Sequence, residues 1–172
     1  MDALYRVSQL WRNLTARRLS RSEVREIGVD LNRAELALFL QMSASDQQHA
    51  LRVYRLLRAI GQTDKKLLCA ALLHDVGKIS TKLTVWDRSL AVLGKALVPR
   101  KAREWGMSDR AGWKRAFVVR EQHAAWGADL AKRAGSPADV VELILRHQDT
   151  LAASIDQMDA RLMLLQWADD QN

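Results

Sequence analysis

Leu67–Lys78 reads LLCAALLHDVGK, an apolar run that halts on His74 and Asp75, with Gly77 placed to end a helix and Lys78 just beyond. Seven consecutive residues without a charge predict a buried helix. A histidine and an aspartate at its end are poor packing residues, because each demands polar partners once removed from water. As metal ligands they make sense. Their side chains diverge by about 100° around a helix, yet at a helix end both can enter one cleft.

The rest of the chain repeats this design. It has four histidines, His49, His74, His123 and His147. Steps of three and four residues join Val119, His123, Trp126 and Leu130, and likewise Val140, Ile144, His147 and Leu151. His49, Val53, Leu56 and Ile60 make a third series, and Met158, Leu162, Leu165 and Asp169 a fourth. Residues at this spacing share one helix face. Each histidine, and one late aspartate, is therefore expected on a stripe that faces the interior. Asp170 competes with Asp169, but it lines up with Asp159, Met163 and Gln166, a more polar row.

The order H…HD…H…H…D, carried by His49 in DQQHALRV, His74 and Asp75 in LLHDVGK, His123 in REQHAAWG, His147 in LILRHQD and Asp169 in LLQWADDQN, resembles the HD-domain superfamily of metal-dependent phosphohydrolases. The resemblance covers roughly residues 43–172. It implies an all-α, HD-domain-like helical bundle. It also implies a two-metal centre in which His49, His74, Asp75 and Asp169 hold one ion, His123 and His147 a second, and Asp75 bridges. A carboxylate is suited to bridging because it offers two oxygens. Four imidazoles and two carboxylates without a thiolate favour manganese, iron, nickel or zinc over magnesium or calcium. In members of the superfamily a lysine at the place of Lys78 lies near the substrate phosphate. The implied reaction is hydrolysis of a phosphate ester by metal-activated hydroxide, with Asp75 and Lys78 as its catalytic side chains. A one-metal centre, with His123 and His147 on the substrate, stays open.

At 172 residues, nearly half of them apolar, the chain has room for one real core. The single cysteine, Cys69, excludes an internal disulfide and fits a reducing compartment. Its place in the apolar run predicts a buried, inert thiol. No signal-peptide pattern and no long apolar span is visible, so a cytoplasmic protein is expected. The net charge of +7 is uneven: residues 95–120 hold eight basic residues against two acidic ones, a net +6. Such a segment attracts a phosphorylated substrate, anionic lipid or nucleic acid without choosing among them.

Residues 1–42 are expected to form a helical extension packed on the core, with an amphipathic face of Leu4, Val7, Leu10, Trp11 and Leu14. Ser20 with Glu23 reads as the capping box of a short helix ending at Gly28, and Asn32 with Glu35 starts another that ends near Met42. Residues 43–172 then form the HD domain. Ser43 caps its first helix, Thr63 or Asp64 its second, Ser136 with Pro137 a later one, and Ser154 with Gln157 the last. Within it, residues 79–119 make a basic, Trp-containing insert. Leu83, Trp86, Leu90, Leu93 and Leu97 form a helical stripe there that Pro99 terminates, and the insert is expected to cover the cleft as a lid. No strand signal is present.

The GYP signature of cyclic-di-GMP phosphodiesterases does not follow HDVGK, and the HDxxED pattern of guanosine tetraphosphate hydrolases is missing. The substrate therefore stays at the level of a nucleotide or other small phosphate ester. Two other classes remain: a non-catalytic regulatory HD protein whose metal stabilises the fold, and a basic helical module for nucleic acid or a membrane surface.

Overall fold

In the computed structural model residues 16–81, 98–108, 112–149 and 157–172 are described. Among them the chain forms only helices: α1 (Arg21–Ile27), α2 (Arg33–Phe39), α3 (Ala44–Ala59), α4 (Lys65–Leu73), α5 (Pro99–Gly106), α6 (Arg115–Arg133), α7 (Ala138–Arg146) and α8 (Gln157–Asp170). Short 3-10 helices span Val76–Ser80 and Gly112–Lys114. The all-α expectation holds. The apolar face of residues 4–14, the stripe from Leu83 to Leu97, and the Ser154 cap lie outside the described residues.

A helix apolar on all sides must be enclosed, and α4 is the centre of the fold for that reason. Leu67 through Leu73 are all buried, and α2, α3, α7 and α8 surround them. Cys69 is buried here, and desolvation, with Glu35 nearby, pushes its thiol well above the ordinary range. The expectation that this cysteine is buried holds. The helices preceding α3 join the same core through Ile27, Leu31, Leu38, Phe39 and Met42.

Local chemistry sets where the helices begin. Ser20 and Glu23 close a full capping box on α1, and Asn32 and Glu35 another on α2. Ser43 caps α3 and Asp64 caps α4. The expected cap of α7 differs. The helix starts at Ala138, with Pro137 in the cap position, and the Ser136 hydroxyl donates to Glu35 Oε1 at 2.6 Å instead. Ser136 ties α2 to the turn between α6 and α7, and Asn32 Nδ2, donating to Ala134 O, does the same.

The far end of the bundle is held in register by ions. Arg161 on α8 donates to Asp64 Oδ2 at 2.6 Å and to Asp139 Oδ2 at 3.3 Å, and Lys66 reaches Asp139 as well. These contacts join the starts of α4 and α7 to α8. Asp169 lies about two turns further along α8, so the same lock fixes its depth.

The sequence places the end of α4 at Gly77, and the structure moves it back. The α-helix stops at Leu73, His74 is its cap, and a 3-10 helix follows directly. Gly77 serves packing rather than termination. A Cβ there would lie 1.9 Å from His123 O and 2.6 Å from the Gly127 amide nitrogen, both backbone atoms of α6. The 3-10 helix thus rests directly on α6 beside His123, a contact only glycine permits. The face of α3 is also shifted. Val53 and Leu57 are fully buried, whereas Ile60, assigned to the His49 stripe, is exposed.

Candidate metal centre

The six side chains singled out from the sequence meet at one place. His74 and His147 occupy equivalent positions, each the residue after the last turn of a buried helix, α4 and α7. His123 lies midway along α6, His49 near the start of α3, and Asp169 in the last turn of α8. Asp170 is exposed. His49, His74 and Asp169 form one group, and Asp75, His123 and His147 another, with ligand atoms within 4.8 Å of each other in each group.

Backbone carbonyls decide which ring nitrogen faces inward. His74 Nδ1 lies 2.9 Å from Ala71 O, His147 Nδ1 2.7 Å from Ile144 O, and His123 Nδ1 2.9 Å from Val119 O. A carbonyl only accepts, so each Nδ1 carries its proton and each ring turns its Nε2 toward the cluster. This is the arrangement metal-bound histidines use.

The inward atoms then need a cation. His123 Nε2 and His147 Nε2 stand 3.2 Å apart, lone pair against lone pair. His74 Nε2 is buried with no hydrogen-bond partner. Asp75 Oδ1 lies 3.3 Å from His123 Nε2, and Asp169 Oδ1 lies 2.8 Å from His49 Nε2 and 3.6 Å from His74 Nε2. Two ligands about 2.1 Å from one ion are roughly 3 to 3.4 Å apart, so the spacing and the orphaned nitrogen fit a transition-metal ion.

Asp75 connects the groups. Its Oδ1 faces His123, and its Oδ2 lies 3.6 Å from His74 Nε2 and 4.0 Å from His49 Nε2. Lys78 Nζ sits 2.5 Å from the same Oδ2. Burial alone raises the pKa of Asp75, but the Lys78 ammonium, and then His74 and His123, hold it well below the usual range. Asp169 is likewise held low against burial by His74 and His49. Desolvation works to lower His74, but the two carboxylates push it up to about 9. His147, more removed from them, is brought down to about 3 by burial, assisted by His74. The cluster attracts positive charge at its carboxylates and keeps His147 neutral, as a metal ligand must be.

Two supporting residues escaped sequence reasoning. Gln166 Nε2 donates to His147 O at 3.1 Å and to Asp149 O at 2.9 Å, closing the exposed carbonyl end of α7 where His147 hangs. Nothing in a lone glutamine signals this. Gly127, one turn after His123, receives Gly77; its place in HAAWGADLA was the available hint.

The described part of the insert lies on α6. Gln122 Nε2 donates to Gly106 O at 2.8 Å, and Trp105 packs its ring 5.0 Å from Phe117. Gln122 and Phe117 project at least about 100° around α6 from His123.

The family described as HD domain matches residues 47–170, almost three quarters of the chain. No curated protein matches, and no solved structure does.

Proposed function

The chain belongs to the HD domain family, and from that premise we propose that it hydrolyses a phosphate ester, of a nucleotide or another small phosphorylated molecule, using two divalent ions. HD domains form a superfamily of metal-dependent hydrolases, generally phosphohydrolases, and this chain carries two His/Asp groups able to bind metal. His49, His74 and Asp169 would hold one ion, His123 and His147 the other, and Asp75 both. When bound, such ions lower the pKa of water toward neutrality and withdraw charge from a phosphoryl oxygen.

The observation that carries this reading is the position of Asp75, buried with one oxygen toward each histidine group. A carboxylate so placed is oriented for bridging by the 3-10 helix that follows it. The carbonyls of Ala71, Val119 and Ile144 hold three imidazoles in one tautomer before any substrate arrives. Lys78, beside Asp75 and partly exposed, supplies a point positive charge for a phosphoryl oxygen.

The test is metal content and hydrolysis measured on the same preparations. Parent protein loaded with manganese or iron, and an Asp75→Ala variant, are analysed for bound metal and assayed against phosphomonoesters and phosphodiesters. Hydrolysis that follows metal content and disappears in the variant supports the proposal. Two tightly bound ions without turnover of any substrate would replace it with the regulatory reading.

A further inference from the structure

The surface at the other flank of α6 has a second chemistry. Trp105, Trp113 and Phe117 form an edge-to-face cluster, with ring centroids 4.9, 5.0 and 6.2 Å apart. Phe117 is buried and anchors the group in the core, whereas Trp113 is 54% exposed. Met107, in the turn after α5, is 79% exposed, and Val98 at the start of α5 is exposed too. Arg100 and Lys101 project into solvent from the first turn of α5, and Lys114 Nζ stands 5.8 Å over the Trp113 ring. Large apolar side chains left in water amid cations are costly unless something covers them.

We infer that the described residues of α5 and the turn after it, 98–108, together with 112–115, form a docking surface for an anionic lipid bilayer. Charge complementarity selects the sign of the partner, since Arg100 and Lys101 are exposed on this surface and Lys114 stands over the Trp113 ring. The exposed aliphatic groups select lipid over nucleic acid. Met107 and Val98 have no flat face to stack on a base, but both gain by entering the boundary between headgroups and acyl chains. Trp113, packed edge-to-face on Trp105 and Phe117 and still half exposed, is of the type that anchors at that boundary. No helix among the described residues is long and apolar enough to cross a membrane.

The experiment is co-sedimentation of the full chain with vesicles of equal parts phosphatidylglycerol and phosphatidylcholine, beside vesicles of phosphatidylcholine alone. Binding to the anionic vesicles only, weakened by salt, is expected. Met107→Asp and Trp113→Glu should each reduce partitioning by about ten-fold, and Lys101→Glu by at least about five-fold. The exposure of Met107 means that its variant keeps the parent melting temperature and soluble-substrate activity, which separates lost docking from lost folding. Equal partitioning of parent and Met107→Asp overturns the inference, as does an absence of binding to anionic vesicles at low salt. Tight binding of single-stranded RNA that anionic vesicles do not displace overturns it in favour of nucleic acid.

Discussion

The two histidine groups meet at Asp75, whose Oδ1 faces His123 and whose Oδ2 faces His74, but they differ in their access to water. In the inner group Asp75, His123 and His147 are all buried. In the outer group His74 is buried, while the His49 and Asp169 side chains are 22% and 34% exposed. The difference follows from the scaffold. His123 and His147 hang from helices enclosed by the core and by the Gly77 contact, whereas α3 and α8 bring His49 and Asp169 in from the rim. An ion held by the inner group would be stripped of solvent and exchange slowly. One held by the outer group would keep open positions, where water and a phosphate oxygen enter.

The largest effect is expected at the residue that stands between the groups. Asp75→Ala is expected to empty both sites and lower hydrolysis by at least about a thousand-fold. If this variant keeps two ions per chain by elemental analysis, Asp75 does not bridge and the two groups are independent.

Gly77→Ala should come next, and it acts on one side only. Its Cβ has no room against the backbone of α6 at His123. The 3-10 helix must therefore move, at a cost of about 1 to 3 kcal/mol in stability. Thermal unfolding should show that loss, and the inner ion should be lost before the outer. Gly127→Ala is the milder partner, because its nearest neighbour would be 3.1 Å away. Equal melting temperatures for the two variants would mean that the close approach does not shape the centre.

Single ligand variants separate the groups directly. His49→Ala is expected to leave the inner ion in place and release the outer, and His147→Ala the reverse. A chelator should strip the outer ion of the parent faster. Gln166→Ala, which touches no ligand atom, should weaken only the inner ion, by about 10-fold, through loss of the hold on the His147 carbonyl.

What the sequence disclosed and what it hid follow one physical line. The stripes at spacing three and four placed His49, His123, His147 and Asp169, and the abrupt polar end of an apolar run placed His74 and Asp75, because hydrophobic periodicity records which face the core selects. The capping box at Ser20 and the helix start at Asn32 were legible because a cap is made by residues three apart. Contacts between elements distant in the chain were not. Gly77 reads as a helix terminator until α6 is laid against it, and Ser136 reads as a cap until Glu35 takes its hydroxyl. Gln166 has no local reason to be a glutamine; its partners lie on another helix.

The smallest effect should fall where neither group is touched, and it serves as the control for the comparison. Glu23 on α1 accepts from the Ser20 amide at 2.7 Å and from the Arg17 guanidinium at 3.0 Å. That backbone donor first, and Arg17 second, lower its pKa from 4.5 to about 2. A carboxylate with a depressed folded pKa stabilises the fold fully above its unfolded value and ceases to do so as pH falls through the folded one. Its contribution should therefore be present at neutral pH and fade between about pH 4.5 and about pH 2. Glu23→Gln is expected to cost about 1 kcal/mol near neutrality and to unfold in parallel with the parent at the acid end of that window. Both ions should remain. If the variant loses metal, the N-terminal helices help position the centre, and the contrast between inner and outer groups must extend to α1.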